Sequence, residues 1–377
     1  MKKITVVGGG NAGCFTALYC GWYGRQSEYE IELVYNPEIP PERVGQATVI
    51  EPPGLLWAAT GFNWYHNKID ASFKSGILYE GWGKLNDKIF HSFPADRMSM
   101  HFSPKKMQKS ILDSGHFKVK ESNVLDPDKI DSDYVFDCRG KPDNFDDYED
   151  LINPINACIL GKPNWDTTKD HWSRHIATPD GWAFVIPSKK GTIGYCYNSD
   201  ITPPDEAGIN FVNQFDVEIG SNIKFRNYIA KNPIVNDRVC LNGNRLFFLE
   251  PLESTATQAY IEMVRAVFEY LLPGRCNTDY VVTDIKKYIK QLQNFILWHY
   301  QFGSKYDTPF WEYSKSIPFE THGHFDRYVG YSKISDCIPD IDKYGGRTQD
   351  KHYGQWPPVS FKTWNDGMNN KYLKTEQ

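Results

Sequence analysis

Hydrophobic positions change their period along this chain, and the changes mark its elements. The run Ile4–Val7 reads as a buried strand that turns through Gly8, Gly9 and Gly10. Beyond Asn11 the spacing becomes helical, with Phe15, Leu18 and Tyr19 on one face, and "YEIELVYN" then predicts a second strand. Strand, turn, helix and strand make a βαβ unit. A further short buried strand is predicted over Tyr134–Asp137, ending at Arg139 and Gly140. Between these lie the β-like runs "SGILYEGWG" and "KIFHSF". A β region follows, "HIATPDGWAFVIPSKKGTIGYCYN", in which "PSKKGT" predicts a hairpin turn.

From Thr257 the texture is helical. "TQAYIEMVRAVFEYLLPG" puts Tyr260, Val264, Val267, Phe268 and Leu271 on one face and stops at Pro273 and Gly274. A second long helix is expected over "NTDYVVTDIKKYIKQLQNFILWHYQFG", N-capped by Asn277 or Thr278. The last fifty residues, rich in Gly, Pro, Lys and Asp, read as irregular. No internal repeat or linker interrupts this order. The expected organisation is an α/β dinucleotide domain over residues 1–275 with inserted β-sheet elements, then a helical and irregular substrate-side region over 276–377.

Composition narrows the partners more than the fold. Of 377 residues, 40% are hydrophobic and 24% charged, with a net charge of -5, so neither nucleic acid nor an anionic membrane is an expected partner. The eight cysteines form no CxxC pair, which excludes a zinc ribbon or a small disulfide scaffold and fits reduced thiols in a cytoplasmic protein. Lys2 and Lys3 before an apolar run imitate a signal peptide, but the glycines interrupt it. No stretch approaches the ~20 apolar residues of a membrane helix. The chain holds 11 Trp, 23 Tyr and 22 Phe, enough large rings to build a core and also to line a pocket or a homo-oligomer interface.

The candidate chemistry starts at the glycines. Gly8-Gly9-Gly10-Asn11-Ala12-Gly13 fits GxGxxG between a strand and a helix, where free amides and the helix dipole suit a pyrophosphate. The acid expected at the end of the second strand is missing, and Asn36 is the residue left to reach a ribose hydroxyl. No second such motif is visible, so reduction of a bound dinucleotide is expected to depend on another protein. Taken alone, Lys74 beside Phe73 reads as a solvated lysine and "GWAFVIPS" as an aromatic core strand. His322 and His324 with Asp326 are too few for a metal site and read as loop residues. "RLFFLEPLEST" predicts a buried strand over Leu246–Leu249, a proline turn, and Ser254 or Thr255 capping a helix. The amides of Thr255 and Ala256 would then face a cavity suited to an anion, with Glu253 beside it.

Joined in order, "VVGGGNAG", "VGQAT", "DASFKSG", "SDYVFDCRG", "GWAFVIP", "EPLEST" and "WHYQFGSKYDTPFW" resemble the flavin-dependent halogenases of the tryptophan-halogenase-like group. The resemblance spans residues 4 to about 311 and implies a Rossmann-like FAD-binding domain of the flavin monooxygenase type with an associated β-layer. It implies that Gly8, Gly10 and Gly13 hold the pyrophosphate and that Gly45, Gln46, Ala47 and Thr48 form a strap over the flavin. Pro251 would lie near the isoalloxazine, and halide would bind the backbone of Thr255 and Ala256, next to Ser254. Lys74 matches the lysine that directs hypohalous acid at the substrate, and Glu253 its partner glutamate. Trp182, Phe184, Ile186 and Pro187 match a signature whose aromatics keep flavin and substrate apart.

Four positions depart from the family pattern: Phe184 stands for a tryptophan, Gln46 for a glutamate, Arg139 for a small residue and Ala256 for a glycine. The resemblance further implies reduced FAD from a separate flavin reductase, a halide co-substrate, and a small electron-rich aromatic substrate. The chain is short after Trp311, where the family builds its substrate lid, so a wide substrate range is expected. Two other readings suit the same fold. One is an aromatic hydroxylase, which needs neither halide nor Lys74; the other is a non-catalytic flavoprotein.

Overall fold

The computed structural model describes residues 2–25, 29–42, 46–49, 51–84, 88–93, 99–188, 191–318 and 356–368. Gly45, Lys189 and Lys190 of the expected hairpin turn, and His322, His324 and Asp326 lie outside the described residues. The chain opens with β1 (Lys2–Val7), α1 (Asn11–Gly24), β2 (Tyr29–Tyr35), β3 (Gln46–Ala47), α2 (Glu51–Thr60), β4 (Ser72–Phe73), β5 (Gly76–Glu80) and β6 (Lys88–Ser92). It continues through β7 (Met100–Phe102), α3 (Pro104–Leu112), β8 (Lys118–Glu121), β9 (Tyr134–Asp137), β10 (Tyr148–Asp150), β11 (Ala157–Pro163), β12 (Ser173–Thr178), β13 (Gly181–Ile186) and β14 (Thr192–Tyr197). Then come α4 (Pro204–Gln214), β15 (Val217–Lys224), β16 (Tyr228–Ala230), β17 (Ile234–Val235), β18 (Val239–Leu241) and β19 (Phe247–Phe248). The described residues end with α5 (Ala256–Arg265), a π-helical segment Ala266–Leu271, α6 (Thr278–Gln301), α7 (Pro309–Ser316) and α8 (Pro358–Met368).

Two compact units are interleaved along this order. The first comprises Met1–Phe73, Ala95–Leu151 and Asn227–Lys286; the second comprises Lys74–Pro94, Ile152–Arg226 and Lys287–Gln377.

Unit one is built on a six-stranded sheet of order β17-β18-β9-β1-β2-β8, parallel except at the β17 edge. Ile4, Val6 and Val7 on β1 are buried, as central parallel strands require, and α1 is buried along nearly its whole length. Asp137, where β9 ends, ties the carboxyl edge together. It accepts from Arg139 Nε and Nη2 at 2.9 Å each and from Arg245 Nε at 3.1 Å, while Arg139 also caps the carbonyls of Val124 and Leu125. A small three-stranded sheet, β3-β7-β4, carries both the strap residues Gln46 and Ala47 and the Ser72–Phe73 strand.

The expected helix from Thr257 to Leu271 needs correction. It is α-helical only to Arg265, and the next six residues are π-helical, with Leu272 N–H donating to Val267 O at 2.9 Å. The added residue rotates the face, so Leu272 is buried where Leu271 was expected. The predicted strand over Leu246–Leu249 shortens to Phe247–Phe248, paired with β16. Asn277 is the cap of α6, its Oδ1 accepting from Tyr280 N–H at 2.9 Å.

Unit two is a seven-stranded sheet of order β15-β11-β14-β13-β12-β5-β6, antiparallel except where β5 runs parallel to β12. Ile159, Ala183, Val185, Ile193, Tyr195 and Phe211 form its core beneath α4. The opposite end of the sheet is aromatic. Here the expectation of an irregular C-terminus fails over its described part, because α8 is helical and sets Trp364 4.2 Å from the Tyr79 ring and 4.1 Å from that of His299. Trp356 stacks on Phe295 at 4.9 Å. An apolar face with bulky rings outweighs the turn-rich composition of this segment.

Candidate active site

Three glycines of the turn, Gly8, Gly10 and Gly13, have distinct reasons. Gly8 has φ 120°, and a Cβ there would stand 2.4 Å from Cys138 O; a Cβ on Gly13 would meet Gly8 O at 1.9 Å. These two close the turn on the helix. Gly10 differs, because a Cβ there would meet nothing within 4 Å. The space over Gly10, at the start of α1, is what a pyrophosphate needs, so the residues present fit a dinucleotide. Gln108 Nε2–H and the Cys14 thiol both donate to Gly9 O, at 2.6 and 3.3 Å, and hold the turn open toward that space. Asn36 Oδ1 accepts from Glu38 N–H at 2.9 Å, which leaves its amide nitrogen as the group for a ribose oxygen.

The strap is anchored at its downstream end. Thr48, fully buried, donates its N–H to Met100 O at 2.8 Å, accepts from Met100 N–H at 3.2 Å, and accepts at its carbonyl from Ser99 Oγ at 2.5 Å. Upstream, Gln46 Nε2–H donates to Glu42 at 2.9 Å, and Asn11 Nδ2 approaches the same oxygen at 3.4 Å. Composition and spacing had not singled out Glu42. The signal was there only in part, since Glu42 stands one helical turn's spacing before Gln46, where a carboxylate is missing.

The turn before α5 is tightly wound. Glu253 N–H and Ser254 N–H both donate to Pro251 O, at 3.1 and 3.0 Å, while Glu253 has φ 147° and Ser254 φ 55°. Glu253 is fully buried, Pro251 exposed and Ser254 half-buried. Thr255 is the N-cap residue but makes no side-chain capping bond, so the expected hydroxyl cap is absent. The first amides of α5 have no intrahelical acceptor, which keeps the anion reading of Thr255 and Ala256 chemically sound. Tyr260, one turn on, is buried, and burial with the nearby Glu42 charge pushes its phenol far above the usual range.

In unit two, Lys74 is 0% exposed, with Nζ 5.0 Å from the Phe93 ring centroid. The solvated lysine that residue type alone suggests is therefore wrong. Trp182 is equally buried on β13, 4.8 Å from the His175 ring and 6.1 Å from Phe184. Phe184 lies over Gly194, where a Cβ would come within 2.2 Å of its ring. Ile186 and Pro187 end the same strand. Among the described residues no group of three His, Cys, Asp or Glu forms a metal site, and no helix is long and apolar enough to cross a membrane.

A family model described as tryptophan halogenase matches residues 3–111 and 118–330. The chain belongs to the tryptophan halogenase family. The halogenase is 23% identical to the tryptophan 7-halogenase RebH of Lentzea aerocolonigenes, over 94% of this chain and 87% of that one. Among solved structures it is similar to a tryptophan 6-halogenase, SttH, from Streptomyces toxytricini, with TM-score 0.76 and 19% identity, over 98% of this chain and 90% of that one. It is also similar to a tryptophan halogenase from Shewanella frigidimarina, with TM-score 0.78 and 16% identity, over 100% and 90%. At such identities the structures speak for the fold, an α/β flavoprotein fold of Rossmann type. Family membership makes the halogenase a flavin-dependent oxidoreductase. It also implies an FAD cofactor, halide use, an aromatic substrate and a separate flavin reductase.

Proposed function

We propose that the enzyme halogenates small electron-rich aromatics with chloride, bromide or iodide through hypohalous acid directed by Lys74 and Glu253. The observation that carries this is burial without exposure of both residues, at the two positions the family motifs mark. Ionisable side chains are rarely withdrawn from water unless they are held for a purpose. Reduced FAD, when bound, supplies the two electrons that activate oxygen for oxidation of the halide. Gly10, Asn11 and Ala12 would hold its pyrophosphate, with Asn36 on the ribose and Gly45 to Thr48 over the ring. The amides of Thr255 and Ala256, at the positive end of α5, hold the halide. Lys74 Nζ–H donates to the hypohalous oxygen and fixes the halogen toward the ring. Glu253 polarises that electrophile and takes the proton the arene loses. Trp182 and Phe184 keep the substrate off the flavin.

The test is product mass after turnover with FAD, a flavin reductase and NADH, across three halides and a panel of electron-rich arenes. Halogenated product that depends on added halide supports the reading. Hydroxylated product without halide dependence would make the enzyme an aromatic hydroxylase instead.

A further inference from the structure

Two thiols stand side by side on the sheet of unit two. Cys158 on β11 and Cys196 on β14 are register partners in an antiparallel pair, and Cys196 is in turn the partner of Trp182 on β13. Directly opposite residues share one face of a sheet. Ile159, Ala183, Val185, Ile193 and Tyr195 fill the α4 face, so alternation sends Cys158, Cys196, Trp182 and Phe184 to the other. Gly194 brings them closer. The point where its Cβ would stand is 2.2 Å from the Phe184 ring and 3.0 Å from Cys158 Sγ, so ring and sulfur meet over the glycine. The sheet thus sets a dithiol against both aromatics of the family signature. Opposite α-carbons of an antiparallel ladder are about 4.5 or 5.5 Å apart, and a disulfide spans about 4.4–6.8 Å, so a bridge needs no shift of the strands. Cys158 is 7% exposed and Cys196 0%, whereas Cys276 is half-buried. An oxidant in bulk water meets Cys276 first; one released on the aromatic face meets the pair first.

We propose that Cys158 and Cys196 form an oxidisable pair that destroys hypohalous acid which has missed the arene, closing to a cross-strand disulfide. This rests on the hypohalous-acid reading above. Cys196, beside Trp182 in the ladder, attacks the halogen. Its sulfur–halogen bond forms, the oxygen–halogen bond breaks, and the thiol proton leaves with the hydroxide as water. Cys158 then attacks that sulfur; the disulfide forms, and a halide ion and a proton leave. The two sulfurs lose two electrons and the halogen gains them, so no other oxidant or reductant takes part. The pair protects the site itself. Trp182 carries an electron-rich ring of the kind the enzyme halogenates, and sulfur is the softer nucleophile for an electrophilic halogen.

The experiment is peptide mass mapping after turnover with a flavin reductase, FAD, NADH and bromide, with catalase present to remove peroxide and with no arene. Wild type should yield the linked Cys158–Cys196 peptide in most molecules, with Cys276 still reduced. Leaving out bromide should abolish the link, and adding an electron-rich arene should suppress it. Cys196→Ser should lose the link and gain bromine on Trp182. A link that forms equally without bromide would overturn the proposal, as would oxidation of Cys276 with the pair left reduced. If an arene is brominated while the pair stays reduced in its absence, the pair has no such role and the hypohalous-acid reading stands. If no arene is brominated, the reading falls and the proposal with it. Should Cys196→Ser not fold, the wild-type map still decides.

Discussion

Glu253 and Ser254 are consecutive residues with φ 147° and φ 55°, conformations that side chains rarely adopt and that cost about 1–3 kcal/mol each. The paired bonds to Pro251 O and the burial of Leu252 and Glu253 hold them there. Such a turn fixes a carboxylate rather than leaving it to rotamer choice. Glu253→Gln keeps the shape and removes the proton acceptor, so product formation should fall by roughly 10²-fold or more. Lys74→Ala should abolish halogenated product, while oxygen still reoxidises bound reduced FAD at near the wild-type rate. Stopped-flow flavin absorbance beside product mass spectrometry separates the two steps, and wild-type halogenation by folded Lys74→Ala would end the Lys-Glu reading. The glycines give a second contrast. Gly10→Val should fold, because its side chain enters open space, yet lose FAD affinity in a fluorescence titration. Gly13→Ala should instead destabilise the fold, since its Cβ would meet Gly8 O at 1.9 Å.

Among the elements, β1, α1, β2 and β9 follow directly from hydrophobic period and glycine position, and each lies where the pattern predicts. The errors fall where side chains of distant segments decide. The π-helical segment after Arg265 moves burial from Leu271 to Leu272, a one-residue shift that no local pattern encodes. Arg139 stands where the family has a small residue, and only the fold shows it paired with Asp137 and two carbonyls. Burial alone would raise the Asp137 carboxyl, but the hydrogen bonds and charge of Arg139, with Arg245, hold it below the usual carboxylate range. Its folded value is therefore depressed. The pairing stabilises fully above the ordinary carboxylate range, about pH 4, and that contribution is lost as pH falls through the lower folded value. Arg139→Ala should cost about 2 kcal/mol at pH 7, discounted for the arginine's partial exposure, with a smaller difference in acid. Chemical denaturation of both proteins at pH 7 and pH 3 measures it, and an equal loss at both would contradict the assignment.

For the whole molecule, membership of the family implies a separate flavin reductase. Turnover with NADH and catalytic FAD should be absent until a reductase is added, and turnover without one would contradict this. In unit two, Trp364 is fully buried against Tyr79, His91 and His299. Trp364→Ala should cost about 3–5 kcal/mol, read as a lower thermal midpoint, while FAD affinity, which belongs to unit one, should change little. The chemistry-bearing motifs were legible in the sequence because each is contiguous: a glycine turn, a Phe-Lys pair, an aromatic strand and a proline turn before a helix. Their order sufficed for the family and the α/β class. Burial was not legible, because whether Lys74 is solvated or enclosed depends on Phe93 and the strands around it. The interleaving of the two units was equally hidden, since a strand's partners are chosen by hydrogen bonding and buried area summed over the sheet, not by its neighbours in the chain.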